Sequence, residues 1–167
     1  EKASGGEQAT ERSSAPDSGG VLDLDGTLID SEPNYRDVDA RFLLEKGVLL
    51  SDSDWENVVG MGGGPFVDYL REYHGLEGDA ADLIAEKDAL YLDYAIGRTN
   101  PFPRVVEFLR YLRVHGYPLA VATSSRARVL DALLADVGLG HYFAATVAGD
   151  EVAHAKPEPD IFFGAAR

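Results

Sequence analysis

Two aspartates one residue apart, Asp23-Leu24-Asp25, followed at once by Gly26 and Thr27, have the clearest chemical potential in this chain. They close a short apolar run beginning at Val21, which reads as a buried strand entering a tight turn. Alternation along the strand sends both carboxylates to one face. Like charges that close resist joint ionisation unless a cation lies between them. Mg²⁺, which takes carboxylate oxygens, waters and a substrate phosphate, meets that need. One carboxylate can then attack phosphorus to form an acyl phosphate, while the other protonates the leaving oxygen and later activates water. Two plainer readings compete. A Ca²⁺ loop would continue its oxygen ligands through position five and end in glutamate at position twelve; those places hold Thr27 and Asn34. A solvated turn remains open on this motif alone.

Two further segments could join the pair. Thr123-Ser124-Ser125 follows the apolar run Leu119–Ala122 and leads into a helical pattern. The Thr123 and Ser124 hydroxyls, with backbone N–H groups at a helix start, suit a phosphate oxygen. Equally, Ser124 or Ser125 could simply cap the helix. Lys156 lies in Ala155-Lys156-Pro157-Glu158-Pro159-Asp160, where the prolines stiffen the backbone. Its ammonium could neutralise a phosphate and the Asp23 carboxylate, or be an ordinary surface charge. What unites the groups is position: each falls at or just after the C-terminal end of a segment in an α/β pattern. In open parallel sheets, ligands bind at the carboxyl ends of the strands. Other candidates fail on spacing. His74, His115, His141 and His154 lack metal-ligand spacing, and Gly60–Gly64 follows a helix rather than a strand, unlike a dinucleotide fingerprint.

The elements that must position these groups can be read from periodicity. Strands are expected at Val21–Asp25, Leu119–Thr123 and Phe143–Ala148, with helices from Val105 to His115-Gly116, over 126–137 and from Pro159 onward. Strands alternating with helices predict a parallel sheet with right-handed crossovers. Between the first strand and the rest, residues 34–98 are helical throughout. Tyr35, Val38, Phe42 and Leu43 share one helix face ending at Gly47. Ser53 and Glu56 look like a capping box, Pro65 opens a third helix, and a fourth runs from about Asp79 to Ile96, with Tyr91 and Tyr94 as bundle core. Thr99–Pro103 is a stiff linker. The fold class is therefore α/β, with a parallel, Rossmann-like three-layer core and an inserted all-helical cap. The expected boundaries are 1–20 as a disordered tail, 21–33 and 99–167 as the core, and 34–98 as the cap.

Composition bounds the partners. The 167 residues include 45% apolar types, enough for a packed core, and carry a formal charge of −14. Such a field repels polyanions, so nucleic acid and anionic membranes are not expected partners. It would also repel a phosphorylated substrate unless a divalent cation is bound. There is no cysteine, and no apolar run approaches the roughly 20 residues of a membrane span. A cytoplasmic location fits both. The chain opens on Glu1, so its natural start is expected upstream, and the opening segment lacks the apolar stretch of a secretory signal. Oligomeric state is not indicated.

Leu22-Asp23-Leu24-Asp25-Gly26-Thr27-Leu28-Ile29-Asp30-Ser31-Glu32 resembles the first motif of the haloacid dehalogenase-like hydrolases. Thr123 matches that family's second motif, and Lys156-Pro157 its third. The helical insertion resembles the cap of the β-phosphoglucomutase/phosphoglycolate phosphatase branch. The resemblance covers Val21 to Arg167. It implies that Asp23 is the nucleophile and Asp25 the general acid/base, and that Thr123 and Lys156 hold the phosphoryl group. It also implies Mg²⁺ bound by Asp23 and the Asp25 backbone carbonyl. The expected activity is Mg²⁺-dependent hydrolysis of a small phosphorylated metabolite through an aspartyl phosphate, with a sugar-phosphate mutase or a non-catalytic member as alternatives. Departures bear on these. Tyr35 stands where mutase-like members often carry histidine, and Gly63 where β-phosphoglucomutase has a phosphate-gripping arginine, which favours phosphatase over mutase. The family's fourth motif, an acidic loop about twenty residues beyond the lysine, does not occur before Arg167. A C-terminally truncated chain is therefore expected, with the Asp23 strand left at a sheet edge.

Overall fold

Leu119–Ala122 (β2) is apolar at every position and buried at every position, as a strand covered on both faces should be. In the computed structural model, which describes residues 19–154, 156 and 160–165, it is the middle of a three-stranded parallel sheet. Gly20–Leu22 (β1) pairs along one side, with Val21 opposite Ala120, and Ala145–Val147 (β3) along the other, with Thr146 opposite Val121. Each outer strand has one strand neighbour among the described residues, and both are shorter than the sequence suggested. The chain leaves β1 after Leu22, so Asp23 and Leu24 lie beyond the strand. It then winds into a turn in which Leu28 and Ile29 N–H donate to Leu24 O at 2.9 and 3.1 Å. Gly26 allows that turn with φ +68°.

Alternation along β2 divides the core into layers. Leu119 and Val121 join a large cluster with Leu24, Leu28 and Ile29. That cluster also takes Leu109 of Val105–Val114 (α5) and Val129, Leu130, Leu133 and Leu134 of Ala127–Asp136 (α6). Ala120 and Ala122 face the other way, onto Ile161 of Asp160–Ala165 (α7). The sheet is thus covered on both faces.

Between β1 and α5 the chain forms Glu32–Lys46 (α1), Asp52–Val58 (α2), Gly63–His74 (α3) and Ala80–Ala95 (α4). Phe42, Leu43, Val58, Phe66, Val67, Leu70, Leu76 and Leu83 make a second core among them, each large side chain contributing about 1.5–3 kcal/mol of burial. Gly47 ends α1 in the left-handed region, as expected, and Asp79 lies just before α4 and caps it by accepting from Ala81 and Asp82 N–H. The capping box of α2 differs: it is Ser51 with Asp54, not Ser53 with Glu56. Ser53 is already inside the first helical turn, so its backbone geometry is not that of a cap. Likewise α3 starts at Gly63 and places Pro65 third, where a missing N–H costs nothing. Tyr91 also departs from expectation: it packs with the sheet-side cluster rather than the helical one, and Tyr94 is half-buried with its hydroxyl donating to Asp37 at 2.7 Å.

The two chain crossings between sheet and helices are joined. Asp30 N–H donates to Asn100 O at 2.9 Å and Phe102 N–H to Leu28 O at 3.0 Å. Asn34 Nδ2 donates to the buried Thr99 hydroxyl at 3.0 Å. Among the described residues no helix is long and apolar enough to cross a membrane.

Candidate active site

Because the strands are parallel, their C-terminal ends lie together, and a pocket of about 560 Å³ opens there. Its lining includes Asp23, Asp25, Thr123, Ser124, Ser125 and Lys156. Asp23 and Lys156 are in direct contact: Lys156 Nζ lies 3.0 Å from Asp23 Oδ1, which also accepts the Leu24 N–H at 2.9 Å. A second donation from Lys156 to Ala122 O, at 3.4 Å, ties the ammonium to the end of β2. Ala155 and 157–159 lie outside the described residues.

Asp25 is held differently. Its Oδ1 accepts from the Ser31 hydroxyl at 2.8 Å, and its Oδ2 from the hydroxyls of Thr123 at 2.9 Å and Ser125 at 2.7 Å. Thr123 is wholly buried and its oxygen accepts the Ser125 N–H at 3.1 Å, so its side chain orients Asp25 in this state of the site. Ser124 lines the pocket without such a bond. Its carbonyl is packed so closely that a Cβ on Gly62 would come within 2.8 Å, and one on Gly149 closer still. Within Gly60–Gly64, which is unlike a dinucleotide fingerprint, Gly62 therefore serves close approach between the helical block and the loop after β2.

The alternative that a serine caps α6 fails. Its N-cap residue is Arg126, without a side-chain cap bond, and the Ala127 N–H is taken by Asp150 Oδ1 at 2.8 Å. Ser125, rather than Ser124, is the serine whose hydroxyl enters the acidic network. Ser31 and Tyr35 also belong to it, with Tyr35 OH 2.8 Å from Ser125 Oγ. Ser31 lay within the motif already quoted, and Tyr35 stood out as one residue of an apolar helix face and as a departure from the family pattern; neither carried a sequence signal for contact with residues 123–125.

Electrostatically the pocket is acidic, with six carboxylates against four cationic side chains in its lining. Burial raises Glu32, with the charges of Asp25, Asp39 and Asp23 adding to the effect. Burial also raises Asp39, against the pull of Lys87 Nζ at 2.7 Å, and Asp88, against Arg126. Tyr35 is pushed well above the ordinary phenol range, chiefly by burial and then by the charge of Asp25, so it is protonated at neutral pH. Among the described residues no three His, Cys, Asp or Glu side chains converge as a complete metal cage. The cation that the resemblance implies would draw on Asp23 and the Asp25 backbone carbonyl, oxygen donors of the kind Mg²⁺ takes together with waters and substrate phosphate.

The model of the haloacid dehalogenase-like hydrolases matches residues 21–167. Fructose-1-phosphate phosphatase YqaB of Escherichia coli (strain K12) is 33% identical over 146 residues, covering 85% of this chain and 74% of that protein. Phosphoglycolate phosphatase of Mesorhizobium japonicum is 31% identical over 147 residues, covering 83% of this chain and 63% of that protein. The chain thus spans less than two thirds of the latter relative. Among solved structures, CbbY from Rhodobacter sphaeroides in complex with phosphate has a TM-score of 0.74 at 25% identity, covering 87% of this chain and 69% of that one. β-Phosphoglucomutase from Clostridium difficile shares the fold, with a TM-score of 0.75 at 16% identity, covering 89% and 69% respectively.

Proposed function

The chain belongs to the haloacid dehalogenase-like hydrolases, and from that premise we propose that it acts in a phosphatase for a small phosphorylated metabolite. The observation that carries the reading is the pairing of two differently held carboxylates at one pocket. Asp23 lies against an ammonium, and Asp25 lies within a ring of hydroxyls. Residues 21–33 and 99–167 would form the phosphatase core and residues 34–98 the cap that selects the substrate. Sugar phosphates and phosphoglycolate are the first substrates to try, since relatives are named for fructose 1-phosphate and phosphoglycolate.

In this reading an Asp23 carboxylate oxygen attacks phosphorus, and the bond from phosphorus to the ester oxygen breaks. The leaving oxygen takes the proton of a protonated Asp25 and departs as an alcohol. Water then attacks the phosphorus of the acyl phosphate, giving a proton to Asp25, and inorganic phosphate leaves while the Asp23 carboxylate is regenerated. Lys156, already on Asp23, neutralises charge as the phosphoryl group arrives. Ser31, Thr123 and Ser125 keep Asp25 aimed. Mg²⁺ at Asp23 and the Asp25 carbonyl would supply the further positive charge that an acidic pocket needs to accept a dianion.

The test is release of inorganic phosphate, with Mg²⁺ present, from fructose 1-phosphate, phosphoglycolate and a wider panel. Asp23→Asn should lower the rate at least about a thousandfold. Equal rates in the two proteins would overturn the reading, and interconversion of phosphorylated isomers without phosphate release would replace it with a mutase.

A further inference from the structure

The hydroxyl network around Asp25 extends beyond the sheet. Ser125 has one hydroxyl proton, and at 2.7 Å from Asp25 Oδ2 that proton is given to the carboxylate. The Ser125 oxygen must therefore accept in its 2.8 Å contact with Tyr35, and the phenol donates. The result is a directed chain, from Tyr35 to Ser125 to Asp25, joining residues 90 and 100 positions apart in sequence. The ring of Tyr35 is held separately, stacked on Tyr91 with centroids 3.9 Å apart and planes 12° apart. Tyr35 sits on α1, one of the helices inserted between β1 and β2, whereas Ser125 follows β2.

We infer that Tyr35 is a positioning residue for the acid/base step, its hydroxyl fixing Ser125 so that the serine proton points at Asp25. This deepens the phosphatase reading and rests on it. A serine whose oxygen accepts no bond can more readily turn its proton to another acceptor or change rotamer, and Tyr35 engages that oxygen. Donation into that oxygen also polarises the serine O–H and strengthens its bond to the carboxylate. The arrangement requires the helical block to sit against the sheet. Asp25 is thus fully aimed only when Tyr35 has been brought over Ser125.

Tyr35→Phe tests this because it keeps the ring and the stack while deleting the donor. Its kcat should fall about three- to tenfold, the worth of one hydrogen bond at an acting group, with KM changed less than about twofold and the melting temperature nearly unchanged. Ser125→Ala should lower kcat as well, and Tyr35→Phe added to Ser125→Ala should cost nothing more, because the second link has no one to act through. Multiplicative losses in the double variant, or an unaltered kcat in Tyr35→Phe, would overturn the inference. A crystal structure of Tyr35→Phe gives a reading independent of turnover: Ser125 should leave its present rotamer or lose its bond to Asp25, and an unchanged Ser125 sinks the idea. Full activity of Asp23→Asn would instead remove the phosphatase reading and leave this crystallographic arm to judge Tyr35 alone.

Discussion

Replacing Lys156 by methionine removes a charge while nearly keeping the length of the side chain. At 3.0 Å, the attraction between Lys156 Nζ and Asp23 Oδ1 is about 5.5 kcal/mol for an effective dielectric near 20. Water reaches both partners, whose side chains are 24% and 37% exposed, and screening with the cost of ordering the lysine reduces this to about 1 kcal/mol or less. In the folded protein alone such a pair contributes little, so Lys156→Met should melt within a few degrees of the wild type. Catalysis is different, because a phosphoryl group bound at Asp23 adds negative charge next to the same ammonium. A charge-assisted hydrogen bond to that group is worth about 2 kcal/mol, and losing it from the transition state corresponds to about a thirtyfold fall in kcat/KM. The assay is phosphate release at substrate concentrations well below KM, using whichever ester the panel selects. A loss smaller than about threefold, in a variant that melts normally, would show that Lys156 does not face the reacting group.

Other perturbations probe the scaffold. Lys87 is 4% exposed and lies 2.7 Å from Asp39, so Lys87→Met strands a half-buried carboxylate and should cost about 3 kcal/mol in urea unfolding; a loss below about 1 kcal/mol would contradict this. Asp54 is lowered to about 2, first by the Ser51 hydroxyl, then by the Ser51 N–H and the Tyr69 hydroxyl. Its folded value lies below its ordinary 3.8, so it contributes stability above about pH 4 that is lost as pH falls through 2. The melting temperature of Asp54→Asn should therefore decline less between pH 5 and pH 2 than that of the wild type, and parallel curves would refute the assignment. Gly149→Ala drives a Cβ into the Ser124 carbonyl, next to the Ser125 O that accepts the Gly149 N–H at 2.9 Å. It should lower stability by about 1–3 kcal/mol and kcat with it, and a variant with wild-type melting and turnover would show that the peptide can yield.

Much of this arrangement was legible in the chain because it is encoded between near neighbours. Val21-Leu22 and Leu119–Ala122 carry the apolar runs of strands, Gly47 ends α1, Gly138 follows α6, and the fourth helix begins within a residue of Asp79. Once the alternation of strands and helices implied a parallel sheet, Asp23, Asp25, Thr123 and Lys156 had to fall toward one end of it. The capping box of α2 slipped by two residues because Ser51-x-x-Asp54 and Ser53-x-x-Glu56 carry competing signals, and only backbone direction selects between them. Tyr91 was misplaced because an aromatic on a helix announces burial without naming the cluster it will join.

What tertiary structure alone decided is how the polar groups pair. No local pattern places the Ser125 hydroxyl rather than that of Ser124 on Asp25, or hands Tyr35 to Ser125 across 90 positions. Nor does any pattern bring the Gly62 backbone against the Ser124 carbonyl. The identities of the two aspartates and the lysine are properties of the sequence. The direction of each hydrogen bond to them depends on side-chain rotamers and on how the helices settle against the sheet, and packing sets both.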